Sequence, residues 1–153
     1  MLKIEQTPQV VRYVYVMRVL GALYGLSALI FFFLPGAIFY ILNFIPKFLG
    51  LLEVIPDSSE LFWLPLAASM MVMLSVLAFS AAASPELRIL ALVQIISKLC
   101  TSLGYLYLFF TAEKYFAYLV GFLTDFPIFL FVFWLTFRMS ILPAQSGEES
   151  DTA

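Results

Sequence analysis

Four stretches of this chain are each long and apolar enough to cross a lipid bilayer, and no other feature constrains its fold as much. A spanning helix needs about 20 mostly apolar residues, because each backbone polar group must be satisfied inside the segment once water is gone. Val14 to Leu34, Leu61 to Ala83, Ile89 to Phe110 and Tyr115 to Phe137 meet that requirement. Of 153 residues, 63% are hydrophobic and 12% charged, and the mean hydropathy is +1.03. A soluble domain of this size needs far more polar surface. The links at 84–88 (SPELR) and 111–114 (TAEK) are short, which makes the helices they join antiparallel neighbours. The residues predict an all-α integral membrane protein, an antiparallel four-helix bundle forming one domain over 1–143. The polar, acidic stretch AQSGEESDTA at 144–153 is expected to be a disordered tail.

Pro35 to Pro56, between the first two spans, is apolar but holds Pro46, Asn43 and Lys47. At about 100° per residue, Tyr40, Asn43, Lys47 and Gly50 share one side, with Ile38, Ile41, Ile45, Leu49 and Leu52 elsewhere. That pattern predicts an interfacial helix between spans 1 and 2 rather than a fifth crossing, with a re-entrant course as the open alternative. The first apolar run is too long for a signal peptide and lacks a small-residue cleavage site, so it reads as an uncleaved span. Gly21 and Gly25 inside it form a GxxxG, the spacing that allows close helix approach. With four spans, Lys3, Arg12, Arg18, Arg88 and Arg138 collect on one side, against Lys47 and Lys114. The positive-inside rule then places both termini in the cytoplasm of a multi-pass cell-membrane protein.

Absent residue types narrow the chemistry. The chain has no His and a single Cys, Cys100. The usual general base, the commonest metal ligand and any CxxC pair are missing, so neither a metal site nor a cofactor is expected from this chain. The net charge is -2 with no basic block, which argues against nucleic acid as a partner. Seventeen Phe and eight Tyr residues, clustered at 30–34 and 129–137, read as lipid-facing bulk, with Trp63 and Trp134 as interfacial belt residues.

One pair of residues stands out against this apolar background. Lys98 interrupts the third span, and Asp125 is the only acidic residue in any of the four. Counting from Thr111 and Lys114 at 1.5 Å per residue, they lie at depths of about 19 Å and 16 Å in a core about 30 Å thick. Each charge alone costs about 2.5–3.5 kcal/mol at mid-bilayer on insertion scales. Opposite charges at matched depth on adjacent helices are therefore predicted to pair, as ions or as a neutral hydrogen-bonded couple. Gln94, Lys98, Thr101 and Tyr105 fall within an arc of about 60° on the third span. Tyr118, Gly121, Asp125 and Thr136 share a face of the fourth. Pro127 leaves the Leu123 carbonyl without its helical donor, one turn from Asp125. Ser69, Met73 and Ser80 of the second span, and Arg18 with Gly25 of the first, are the expected neighbours of this cluster.

The succession FWLPLAASMMVMLSVLAF, SKLCTSLGYL and YLVGFLTDFPIFL resembles small bacterial four-helix membrane proteins of the DoxX-like kind. The likeness covers roughly the four spans, in architecture and spacing more than in any specific motif. It implies a compact four-helix bundle with polar residues inside. Members of that family are associated with quinone-linked sulfur oxidation or thiol stress, as small membrane subunits beside a larger partner. This chain departs from a thiol role in lacking paired cysteines, and no functional residue is carried across.

Three functions follow from these observations. The favoured one is a non-enzymatic accessory or scaffold subunit of a membrane complex, or a homo-oligomer, whose Lys98–Asp125 pair fixes helix packing. The alternative is a binding or transport protein for a lipid-like or quinone-like molecule, its polar head meeting Lys98, Gln94, Tyr105, Tyr118 and Asp125. The third, a quinone-coupled enzyme using the pair as a proton relay, would need a redox centre supplied by a partner.

Overall fold

Proline and glycine set the limits of the helices. In the computed structural model, which describes residues 7–50, 53–55, 63–112 and 114–140, helix α1 spans Pro8–Phe33. It opens on a proline, whose missing N–H costs nothing in a first turn, and so takes in Arg12 ahead of the apolar run. Leu34 precedes Pro35 and is kept out of the helical region, at φ -132° and ψ 51°. Pro35 then begins α2, Pro35–Leu49, whose 15 residues span about 22 Å and fall short of a bilayer core of about 30 Å. Gly50 ends it in the left-handed conformation, φ 64°, with its N–H on the Pro46 carbonyl at 2.9 Å.

Three further helices follow: α3 at Trp63–Ala83, α4 at Arg88–Thr111 and α5 at Phe116–Ser140. The elements among the described residues are thus all helices, and α1, α3, α4 and α5 are long and apolar enough to cross a membrane. Their outer faces carry exposed Leu23, Phe32, Val72, Leu103, Phe110, Phe131, Phe133 and Phe137, among others. So continuous an apolar exterior is the surface of a multi-pass membrane protein, with lipid as its solvent. Cys100 lies on this exposed surface. The acidic tail at 144–153, Lys3 and the side chain of Trp63 lie outside the described residues.

Packing divides into two close pairs, α1 with α3 and α4 with α5, joined by a smaller contact of α3 on α4. Small residues make the first pair possible. A Cβ added to Gly21 would come within 3.0 Å of the Phe79 ring, and one on Gly25 within 3.3 Å of Ser75 Oγ. Ser75 Oγ also donates to the Gly21 carbonyl at 2.7 Å, a buried interhelical bond of the kind that joins helices in lipid. The GxxxG of α1 is therefore its seam against α3. The inward face of α3 is Leu74, Ser75, Ala78, Ala81 and Ala82, not the expected one: Ser69 and Met73 are exposed and Ser80 half-buried. Close approach to α1 selects the small residues at 75, 78 and 82.

The buried core joins Tyr13, Met17, Leu20 and Tyr24 to Ala78, Ala82, Ala91, Ile95, Val132 and Leu135. In α4 and α5 the buried part is confined to one end, while the α1–α3 pair is also buried at Ala28, Leu64 and Ala68. Among the described residues the last buried one in α4 is Ser102, and the first in α5 is Val132. Beyond that level α2 contacts both α1 and α5. Asn43 is a correction: expected beside exposed Lys47 and Tyr40, it is buried, 4% exposed. Its amide donates to the Ile55 carbonyl and accepts from the Ile55 N–H, each at 2.9 Å. Glu53 of the same segment forms an isolated bridge with Tyr115. The polar residue of α2 thus turns inward to tie down an irregular backbone, and its aromatic residues Tyr40, Phe44 and Phe48 face out.

Candidate functional site

The site begins with residues two and three turns into α4. Positions 94, 98 and 102 recur on one helical face, and Gln94, Lys98 and Ser102 are all buried there. Lys98 reaches α5, where its Nζ lies 2.7 Å from Asp125 Oδ1. The side chains are 5% and 14% exposed respectively, so lipid and water are both largely shut out. Thr101 Oγ1 sits 2.6 Å from the other carboxylate oxygen and 3.2 Å from the Lys98 carbonyl. A hydroxyl has one proton, and the shorter contact to a charged acceptor takes it. Ser102 Oγ donates back to the Lys98 carbonyl at 2.6 Å.

The fourth member comes from α1. The ring of Tyr24 lies under the Lys98 ammonium, 5.0 Å from ring centroid to Nζ, within the range where a π face attracts a cation. Sequence reasoning chose Arg18 from this helix, but Arg18 is exposed. Tyr13, Met17, Leu20 and Tyr24 form the buried stripe of α1, and Arg18 falls off it.

Of the residues assigned to the cluster by sequence, Lys98, Thr101 and Asp125 are joined directly. Gln94 is one turn away and 1% exposed, yet neither its Nε2 nor its Oε1 has a protein partner. The Tyr24 hydroxyl is likewise buried and unpartnered. Tyr105 is half-buried, its ring packed against the bare Cα of Gly121, where an added Cβ would lie 2.6 Å from two ring carbons. Tyr118 is not brought to the pair. Its ring meets Tyr115 edge-on at 5.7 Å, two turns along α5 from Asp125.

Chemically, the arrangement is a charge pair with both carboxylate oxygens engaged and one face of the ammonium on an aromatic ring. It can hold α4, α5 and α1 in register. Among the described residues no three His, Cys, Asp or Glu side chains gather as metal ligands would. No family model, curated protein or solved structure matches the chain.

Proposed function

We propose that this is a non-enzymatic accessory or scaffold subunit of a cell-membrane complex, an antiparallel four-helix bundle with both termini in the cytoplasm. The observation that carries the reading is that both oxygens of Asp125 are engaged from α4: Lys98 lies on one at 2.7 Å and Thr101 on the other at 2.6 Å. A carboxylate held on both oxygens by the neighbouring helix links the two helices inside the bundle. Contact registers support the antiparallel course, since Lys98 meets Asp125 while Tyr105 meets Gly121. The outward aromatic face of α2, too short to span, supports a place in the membrane interface. The DoxX-like resemblance points to the same class of small subunit.

Native mass spectrometry of the protein released from its own membrane in mild detergent tests this. A particle well above the 17.3 kDa chain, containing other polypeptides, is the expected result. A stable monomer without partners overturns it.

A second reading, a binding or transport protein for a lipid-like or quinone-like molecule, rests on Gln94 and Tyr24. A buried amide and a buried hydroxyl without protein partners are each costly unless something else satisfies them. A reproducible small-molecule adduct in the same spectra would favour it.

A further inference from the structure

At the end where α4 and α5 are buried, the start of α1 and the end of α5 bring two arginines to one cleft. Gln9 and Arg12 line it from α1, and Trp134, Leu135 and Arg138 from α5. Both arginines are exposed, and among the described residues neither is in an ion pair with a carboxylate. Arg138 stands over the Trp134 ring at 4.6 Å, which holds its guanidinium plane in place. Leu135 is buried beneath, while Phe131 and Phe137 are exposed on the adjoining surface of α5. Two cations at a helix end thus adjoin an apolar, aromatic wall.

We propose that this cleft binds the phosphate of an anionic membrane phospholipid, with Arg12 and Arg138 as ligands and the acyl chains lying along the Phe131–Phe137 side of α5. Arginine matches phosphate oxygens through paired N–H donors, and basic pockets between spanning helices are where such headgroups settle. Trp134 is the belt residue that fixes the depth of the site at the headgroup level.

The test uses the full chain in neutral detergent, mixed with equal amounts of phosphatidylglycerol and phosphatidylcholine, with bound lipid counted by native mass spectrometry. The unmodified protein is expected to retain the anionic lipid in clear preference. Arg12→Gln and Arg138→Gln are each expected to lower retention about fivefold, and about 25-fold together. Lys47→Gln with Lys114→Gln removes the same charge elsewhere and is expected to leave retention unchanged. Millimolar inorganic phosphate is expected not to displace the lipid, because the apolar wall holds only the chains. Equal retention of the two lipids by the unmodified protein overturns the proposal. So does an equal loss in the Lys47 and Lys114 variant, which would mean general charge. Full displacement by inorganic phosphate also overturns it, leaving an ion site only.

Discussion

Thr101 Oγ1 lies 2.6 Å from Asp125 Oδ2, on the oxygen that Lys98 does not occupy. Thr101 is itself exposed, so its hydroxyl covers the carboxylate on the side open to lipid, where no water competes for the bond. Thr101→Val keeps the shape and removes the donor. It is expected to cost about 1–2 kcal/mol, the upper range for interhelical bonds in membranes, while Thr101→Ser costs little. Chemical unfolding in detergent would measure both, and equal stability of the Val variant would show that the bond contributes nothing.

The ion pair makes a sharper prediction. Lys98→Met or Asp125→Leu alone strands a buried charge and is expected to cost about 3–5 kcal/mol. The double variant removes both charges at once, and apolar side chains of similar size replace a buried pair at little cost. The three variants form a cycle whose coupling energy is read from unfolding curves. Additive losses would mean that the two charges do not depend on each other.

Gly121 is the point where α5 approaches the ring of Tyr105. A Cβ there would lie 2.6 Å from two ring carbons and 2.9 Å from Cγ, and Cγ, at the base of the ring, has little freedom to move aside. Gly121→Ala is expected to cost about 1–3 kcal/mol by overpacking, and to be relieved by a second change, Tyr105→Ala. Gly104 is its control, since nothing lies within 4 Å of a Cβ at that position. Gly104→Ala should be neutral or stabilising by up to about 1 kcal/mol through helix propensity. Thermal unfolding of the two alanine variants decides the matter.

What could be read from the sequence divides by the strength of the constraint. Four apolar runs predict four long helices, and those helices are present, with α1 starting at Pro8 ahead of the expected Val14, because length and hydropathy carry the information. Lys98 and Asp125 could be matched because a charge in lipid has few ways to be satisfied. The neighbours were harder to find. When the lipid face and the core face of a helix are both apolar, no polar side marks which way it turns. The inward stripes of α1 and α3 therefore could not be told from the outward ones. Tyr24 was missed and Arg18 chosen for that reason, Met73 was placed on the wrong face, and polarity misled on Ser69. In α1 and α3 small size, at Gly21, Ser75, Ala78 and Ala82, marks the buried side better than polarity does.

Asn43 holds a stretch of chain that has no helix of its own to satisfy it. Both its amide bonds go to Ile55 at 2.9 Å, so Asn43→Ala leaves a donor and an acceptor of Ile55 unpaired. The expected cost is about 1–3 kcal/mol, concentrated locally: the Ile55 amide should exchange with solvent hydrogen much faster, and protease should cut sooner after Gly50. Asn43→Asp retains the acceptor and loses the donor, and should protect the Ile55 N–H while weakening the hold on its carbonyl. Unchanged exchange in the alanine variant would show that the Glu53 to Tyr115 bridge is sufficient to hold the segment.

Gln94 and Tyr24 separate a helix lock from a ligand site. Each keeps a buried polar group with no protein partner, and such a group costs about 1–3 kcal/mol unless a bound molecule satisfies it. If the cluster is a lock alone, Gln94→Met and Tyr24→Phe remove that cost. Both should then be neutral or stabilising, with Tyr24→Phe keeping the ring under Lys98. If a small polar molecule is held between the helices, the same changes strip it of its contacts, and both variants lose stability when unfolded from native membrane extract. The proposed function expects the first outcome. Loss of stability in both variants, with loss of an adduct mass in the native spectrum, would transfer Lys98 and Asp125 from packing to binding.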